Sequence, residues 1–311
     1  MGAFGWLLLG AVGALTILWF TRQPMTARVR RLAPGQFAKL KSGAVHYAWH
    51  GPKGSPRPVL VLIHGLTNPS FIWRDMLPAL TAAGYRVLVY DHFGRGFSDR
   101  PWTQYDMDFY VTALDELLDK LGVTRAVDVL GYSMGGGIAA AFAVRRPDRV
   151  RRVALLAPVG FLDPRPDFMA RWPILGDAVS FVLGGWLMRR AARRVAEEEC
   201  LDPGILRLQL RETRFAGYTA AVLSSNRHVI FHDQTEDHRI LRDRAVPVAA
   251  IFGAADPLVT ETSALRLRQV NRAVEMTQVA GAGHSLAVTH STPVTHALRQ
   301  FLETPGAEEA S

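Results

Sequence analysis

The stretch from Ala126 to Val144, AVDVLGYSMGGGIAAAFAV, decides how this chain folds. Its first part contains the apolar run VDVL, which predicts a buried strand ending at Leu130. The pentapeptide Gly131-Tyr132-Ser133-Met134-Gly135 follows, and glycines on both sides of a serine are typical of a tight, strained turn. Small residues, many of them alanine, come directly afterwards and favour a helix. The sequence therefore predicts a strand, a sharp turn that carries Ser133, and a helix.

This arrangement is typical of a nucleophile elbow, in which a serine hydroxyl stands above the end of a sheet. A Cβ at Gly131 or Gly135 would collide with a neighbouring strand or helix. The helix behind the turn offers free N–H groups and the positive end of its dipole, which suit an oxygen that becomes negative during acyl transfer. A serine in an ordinary tight turn is the alternative, because G-x-S-x-G arises by chance in about one in ten chains of this composition.

The composition indicates a globular protein with a substantial core. The chain has 311 residues, of which 49% are hydrophobic and 21% charged, which is enough for one α/β domain with an insertion. The net charge of +8 is too small and too dispersed to predict nucleic-acid binding. Two clusters, Arg28 to Arg31 and Arg189 to Arg194, favour an anionic membrane surface instead, unless the arginine content reflects genomic base composition. The single cysteine, Cys200, excludes an internal disulfide.

An uncharged stretch of nineteen residues, Gly2 to Phe20, lies near the start of the sequence. As a helix it would be about 28 Å long at ~1.5 Å per residue, close to the ~30 Å hydrocarbon core of a bilayer. We expect residues 1–22 to form a single-pass membrane anchor. The alternatives are a buried or interfacial helix and a cleaved signal, although a signal needs positive charge before the apolar run and a small-residue site after it. Because arginines follow the stretch, the positive-inside rule predicts a cytoplasmic catalytic body.

Strands and helices alternate over residues 36–160 and again over 244–303. This alternation predicts an α/β core with a mostly parallel central sheet and helices on both faces. A hairpin over Gln36 to His50 is expected first. The continuous apolar run Pro58 to Ile63 is typical of a strand covered on both faces.

Residues 161–243 break the alternation and are expected to form an inserted helical cap over the mouth of the site. Helical patches are predicted at Ile174–Val195 and Asp202–Tyr218, and residues 304–311 are expected to form a disordered tail. The apolar side chains of the cap would line the entrance, meet a bilayer or pack within the cap; they are Trp172, Phe181, Val182, Leu183, Trp186, Leu187 and Met188.

Loops at the strand ends carry the remaining candidate residues. In His64-Gly65-Leu66-Thr67, the backbone amide of Leu66 is placed to act with that of Met134 as an oxyanion hole. We expect His64 to orient this loop. Asp91 and Arg95 lie in the sequence DHFGRGFSD after the next strand, where we expect them to fix a structured loop.

Two late loops complete a set of three candidate side chains. Asp256 follows a strand and precedes a proline, where open α/β sheets place working residues, although a simple turn aspartate is the alternative. His284 lies in Ala280-Gly281-Ala282-Gly283-His284-Ser285, whose glycines allow the loop to bring an imidazole over the elbow. We expect His290 and His296 to fall in the terminal helix and to be surface residues.

The order Ser133, Asp256, His284 across alternating strands and helices resembles the α/β-hydrolase family, over about Gln36 to Leu302. The motifs that carry the resemblance are HGLT, DHFGRGFSD, GYSMGG, GAAD and GAGH, in that order. A serine at the elbow is similar to the esterase, lipase and carbon-carbon hydrolase branches, whereas dehalogenases and soluble epoxide hydrolases carry aspartate there. The expected anchor and the APVGF sequence before the cap are similar to membrane-bound monoacylglycerol-lipase-like members.

The resemblance implies a catalytic triad. Ser133 would attack an acyl carbonyl, His284 would take and return its proton, and Asp256 would orient the imidazole. It implies a serine hydrolase of carboxylic esters, which the apolar cap and anchor suggest are lipophilic. A carbon-carbon bond hydrolase of ring-cleavage diketones and a non-catalytic binding scaffold are the alternatives. We expect no metal or organic cofactor, and a small ester and membrane lipid as partners.

Overall fold

A mostly parallel sheet of eight strands forms the centre of the molecule in the computed structural model, which describes residues 22–162 and 172–304. The strands lie side by side in the order β1-β2-β4-β3-β5-β6-β7-β8. Their bounds are β1 Gln36–Leu40, β2 Gly43–His50, β3 Leu60–Ile63, β4 Val87–Tyr90, β5 Val127–Tyr132, β6 Val150–Leu156, β7 Val248–Gly253 and β8 Glu275–Val279.

Strands β1 and β2 form the expected hairpin, and β2 pairs antiparallel with β4, while every later pairing is parallel. The central strands β3 to β7 are apolar on both faces because helices cover both sides of the sheet. Leu62 pairs with Leu130, and Ile63 with Gly131. The carboxyl ends of β3 and β5 therefore meet at one edge, where open α/β sheets place their sites. Strand β5 continues to Tyr132, two residues beyond the predicted end, because it pairs with β6 as far as Leu156.

Helices flank the sheet in the described residues and connect its parallel strands. They are α1 Ala27–Arg30, α2 Leu77–Ala82, α3 Met107–Lys120, α4 Met134–Arg145, α5 Pro173–Glu198, α6 Pro203–Glu212, α7 Tyr218–Ser225, α8 Thr235–Asp243, α9 Glu261–Val270, α10 Leu286–Thr289 and α11 Ser291–Glu303. Helix α4 follows the elbow and is buried from Met134 to Ala143. Its small side chains allow this close packing against the sheet.

Only helical elements, α5 to α8 and a short π-helix at Asn226–Ile230, are described between β6 and β7. One predicted boundary is wrong here: the patch expected over Asp202–Tyr218 is two helices, because α6 ends at Glu212 and α7 begins at Tyr218. Gly217 directly precedes α7 with a φ of 82°, a left-handed conformation that turns the chain into that helix.

Two predictions fall largely outside the described residues: the membrane anchor over residues 1–22 and the tail over residues 304–311. Within residues 22–162 and 172–304, no helix is both long enough and apolar enough to cross a membrane. His290 precedes the terminal helix α11 and is half-buried, while His296 within that helix is exposed.

Candidate active site

The turn between β5 and α4 holds Ser133 in a strained conformation. Its φ is 54° and its ψ is −116°, a region that residues with a side chain rarely adopt. The backbone is packed so closely here that a larger residue would not fit: a Cβ at Gly131 would lie 2.1 Å from the Gly135 carbonyl oxygen. A Cβ at Gly135 would lie 2.0 Å from the Ile63 carbonyl oxygen. The glycines therefore permit the turn that presents the Ser133 hydroxyl.

The structure brings the three predicted side chains together. The Nε2 atom of His284 lies 3.0 Å from Ser133 Oγ. On the other side of the ring, Nδ1 lies 2.7 Å from Asp256 Oδ2. Each contact has hydrogen-bond length, so the ring can accept the serine proton at Nε2 while Nδ1 donates to the carboxylate. This is the geometry of a nucleophile, a base and an orienting acid.

The second carboxylate oxygen of Asp256 is held by the backbone. Its Oδ1 accepts hydrogen bonds from the amides of Leu258, at 2.7 Å, and Val259, at 3.0 Å. The Asp256 side chain is fully buried. Both oxygens are thus occupied, and the carboxylate is fixed in the orientation that His284 needs.

The loop after β3 approaches the nucleophile closely, because Gly65 leaves room for it. A Cβ at Gly65 would lie 3.3 Å from Ser133 Cβ. His64 Nδ1 lies 2.8 Å from the Gly65 carbonyl oxygen, and the amide of His92 donates to His64 Nε2 at 2.9 Å. Burial lowers the pKa of His64 to about 4, so the ring is neutral and donates from Nδ1.

That hydrogen bond also fixes the direction of the Leu66 amide. In a trans peptide the C=O of one residue and the N–H of the next point in opposite directions, so holding the Gly65 carbonyl orients the Leu66 N–H. Arg95 secures the other side of Leu66 by donating from Nε to its carbonyl oxygen at 2.9 Å. The Met134 amide is the first of helix α4, where N–H groups have no intrahelical acceptor. The expectation that His64 orients this loop is confirmed. Arg95, expected to fix the loop after β4, donates to the Phe93 carbonyl oxygen of that loop and also holds Leu66.

The loop after β4 is fixed by Asp91. Its carboxylate lies 2.7 Å from His46 Nδ1 and accepts hydrogen bonds from Ser70 Oγ, at 2.6 Å, and from the Phe97 amide, at 3.0 Å. Burial alone would raise the pKa of Asp91. The hydrogen bonds and nearby rings, above all that of His46, outweigh burial and hold the pKa below its usual range. Asp91 therefore fixes the loop, as expected.

Two residues that hold the His284 loop were missed by sequence reasoning. Tyr132 donates from its hydroxyl to the His284 carbonyl oxygen at 2.7 Å, and its ring centroid lies 5.4 Å from that of His284. Glu199, at the end of α5, accepts a hydrogen bond from the Ser285 amide at 2.8 Å. The position of Tyr132 beside Ser133 in the sequence could have indicated its role. No sequence signal connects Glu199 with Ser285, which lies 86 residues later.

The described residues offer no evident place for a metal ion. Within residues 22–162 and 172–304, no group of three or more His, Cys, Asp or Glu side chains has the arrangement of a metal site. Cys200 is exposed.

Comparison with known proteins agrees with this architecture. A family model described as the alpha/beta hydrolase fold matches residues 58–194. A 2-hydroxy-6-oxo-2,4-heptadienoate hydrolase of Pseudomonas putida is 27% identical over 262 residues, which cover 80% of this chain and 90% of the relative. Epoxide hydrolase A of Mycobacterium tuberculosis is 29% identical over 296 residues, covering 79% of this chain and 90% of the relative.

A solved structure shows the same fold at lower sequence identity. The enol-lactonase of Burkholderia xenovorans superposes with a TM-score of 0.74 at 22% identity, covering 86% of this chain and 99% of that one. The sheet order, the strained turn at Ser133 and the matched family model agree with one another. The chain therefore has the alpha/beta hydrolase fold that the family model over residues 58–194 describes.

Proposed function

We propose that this protein is a serine hydrolase that cleaves carboxylic esters through an acyl-enzyme. The observation that carries the proposal is the continuous contact from Ser133 through His284 to Asp256, with oxygen–nitrogen distances of 3.0 and 2.7 Å. Such a chain of contacts turns a weakly nucleophilic hydroxyl into an attacking group. The strained turn places that hydroxyl at the start of helix α4, whose dipole favours negative charge.

In the proposed reaction, Ser133 Oγ attacks the acyl carbonyl while His284 Nε2 removes its proton. The carbonyl oxygen becomes negative and accepts hydrogen bonds from the amides of Leu66 and Met134. The proton then passes from His284 to the leaving alcohol, and the acyl group remains on Ser133. A water molecule, deprotonated by His284, attacks the acyl-enzyme and releases the acid. Asp256 stabilises the imidazolium in both halves of the cycle.

We expect the acyl group to be lipophilic rather than polar. The cap carries exposed apolar side chains, including Trp172 and Ile174, and the sequence places an uncharged stretch of nineteen residues before the core. Caps of this kind select what enters a site. The likeness to monoacylglycerol-lipase-like members, noted from the sequence, supports the same substrate class.

Hydrolysis of a carbon-carbon bond is the second candidate. It is favoured by the Pseudomonas putida relative, whose name describes a 2-hydroxy-6-oxo-2,4-heptadienoate hydrolase. The aspartate nucleophile expected of soluble epoxide hydrolases is replaced by Ser133, so epoxide opening is not proposed. Rates on a p-nitrophenyl ester and on a ring-cleavage diketone, measured with the same preparation, discriminate between the two candidates. A strong preference for the diketone would reverse the assignment.

The test of a serine nucleophile is the Ser133→Ala variant, compared with Ser42→Ala in the exposed hairpin turn. We expect the first to lose hydrolysis of p-nitrophenyl acyl esters, and labelling by a fluorophosphonate probe, while the second retains both. A series of esters of increasing length then reports the acyl preference. Turnover by Ser133→Ala at the rate of Ser42→Ala would refute the nucleophile, and absence of labelling in the unmodified protein would favour a non-catalytic scaffold.

A further inference from the structure

The outward side of helix α5 carries an unusual set of exposed side chains. Leu175, Val182, Leu183 and Trp186 are each between 41% and 52% exposed. Their spacing of seven, one and three residues puts them on one side of a helix. Exposed arginines, Arg190, Arg193 and Arg194, continue that side toward the carboxyl end. We call these seven residues the α5 outer face.

Other residues of α5 contact the rest of the cap. Ser180 and Ala196 are buried, and a Cβ at Gly184 would lie 3.5 Å from Thr219 Cβ of helix α7. Arg189 donates to Thr213 Oγ1 at 3.0 Å. The helix is therefore held on one side by packing, and the α5 outer face is turned away from the core.

The start of the described chain is fastened beside this helix. Arg22 donates to the Phe181 carbonyl oxygen of α5, and its guanidinium lies 4.4 Å from the centroid of the Phe181 ring. The Gln23 amide donates to the Arg214 carbonyl oxygen at 2.9 Å, and the Ala216 amide donates to the Gln23 carbonyl oxygen at 3.0 Å. Backbone pairing on both sides of Gln23 fixes the position of Arg22 and Gln23 against the cap.

This attachment limits the distance between α5 and the uncharged stretch that ends at Phe20. Only Thr21 lies between Phe20 and Arg22 in the sequence, and two residue-to-residue steps of chain reach at most about 7 Å. If this stretch is the expected membrane anchor, helix α5 is held at the lipid surface, because the chain between them is so short. A helix with large apolar side chains and arginines together is suited to that position, because apolar groups enter the acyl boundary and arginine stems reach toward phosphate.

The charges and rings of the α5 outer face match an anionic lipid surface. The Arg190 guanidinium lies 5.6 Å from the centroid of the Trp186 ring, and tryptophan favours the boundary between apolar and polar lipid regions. Arg194 pairs with Glu198 at 3.6 Å, and Glu197 is also exposed near the same end. Arg190 and Arg193 remain the cations best placed for lipid phosphate.

We propose that the α5 outer face docks on the surface of an anionic lipid bilayer, with Val182, Leu183 and Trp186 entering the headgroup region. The docking orients the cap, and the site beneath it, toward the membrane that holds the chain. It depends on the anchor rather than on the chemistry of Ser133, so it can be tested without any measurement of hydrolysis.

The test uses the full chain with Cys200→Ser and one new cysteine carrying an environment-sensitive NBD fluorophore. One variant has Val182→Cys, and its matched control has Leu265→Cys. Leu265 is an exposed leucine of helix α9, which belongs to the α/β domain and not to the cap. Each is reconstituted in vesicles of phosphatidylcholine and phosphatidylglycerol, with or without a nitroxide-bearing lipid. We expect the nitroxide to quench the probe at 182 several-fold more strongly than the probe at 265.

Two further measurements distinguish lipid contact from contact with a second copy of the chain as the environment of the probe at residue 182. Replacing both Arg190 and Arg193 by glutamine should reduce the quenching at 182 in vesicles with phosphatidylglycerol, toward the value in phosphatidylcholine alone. Equal quenching of the probes at 182 and 265 would overturn the proposal. So would a blue shift at 182 that grows with the number of protein molecules per vesicle without nitroxide quenching, because that result would identify a second copy of the chain as the partner.

Discussion

Removal of the Glu199 carboxylate should slow catalysis although this residue never touches the reacting atoms. Its Oε2 accepts a hydrogen bond from the Ser285 amide at 2.8 Å, and the carboxylate fits closely against Gly283, where a Cβ would lie 2.7 Å from the Glu199 carboxyl carbon. Glu199 therefore contacts the residues on both sides of His284. We expect Glu199→Ala to loosen this loop and to leave the ring aligned with Ser133 for a smaller fraction of the time.

The expected size of the effect follows from the hydrogen bond that is lost. A hydrogen bond to a charged group contributes about 1.5–3 kcal/mol, and Glu199 is half-buried, so solvent screening reduces this to about 1–1.5 kcal/mol. Because about 1.4 kcal/mol corresponds to a tenfold change in rate, kcat should fall about five- to tenfold. KM should change little, since the carboxylate holds the loop and not the substrate.

The assay compares kcat on a p-nitrophenyl acyl ester, and the rate of fluorophosphonate labelling, among three variants. Glu199→Gln keeps an acceptor oxygen and should recover part of the loss. Glu198→Ala is the matched control, because Glu198 is exposed and pairs only at the surface with Arg194. A Glu199→Ala variant with the kcat and labelling rate of Glu198→Ala would refute the positioning role, as would a loss of kcat that merely follows a lowered unfolding temperature.

Three further predictions concern stability. Gly135→Ala should cost about 3 kcal/mol or more, because its Cβ would lie 2.0 Å from a carbonyl oxygen of β3, whereas Gly54→Ala meets nothing within 4 Å; urea unfolding of the two compares them. Burial lowers the pKa of His238 from 6.5 to about 4, so the unfolded chain binds more protons between these values and stability falls as the pH drops through that window. His238→Asn should remove up to about 3 kcal/mol of that fall, measured as unfolding midpoints at pH 7.5 and pH 4.5, and an unchanged pH dependence would contradict this. Glu212→Ala should destabilise by about 3 kcal/mol, because buried Arg100 would lose the carboxylate 3.7 Å away; calorimetry should show a smaller loss for Glu212→Gln, and equal losses would count against the ion pair.

The parts of this site that come from local pattern could be predicted from the sequence. Apolar runs predicted the buried strands. The glycines on both sides of Ser133 predicted a tight turn in which a larger side chain would not fit. Loops at strand ends then pointed to Asp256 and His284. The structure brings these side chains within hydrogen-bond distance, because parallel strands end at one edge of the sheet.

Contacts made by the cap could not be predicted in the same way. Glu199 is one of three consecutive glutamates, and nothing in the sequence distinguishes the one that reaches the Ser285 amide. The turn between α6 and α7 includes Gly217 in a left-handed conformation. Glycine inside a helical pattern does not by itself reveal that conformation, because tertiary packing decides it.

The hydrogen bond from the Ser285 amide to Glu199 also limits how far caps can be exchanged between relatives. A cap is usually regarded as a replaceable module that changes specificity while the catalytic machinery stays behind in the core. In this chain one carboxylate of the cap supports the loop of the general base, so a transplanted cap without an acceptor at that position would alter turnover along with substrate range. Chimeras built from this scaffold should therefore begin the transplanted segment after Cys200, so that α5 and Glu199 are retained.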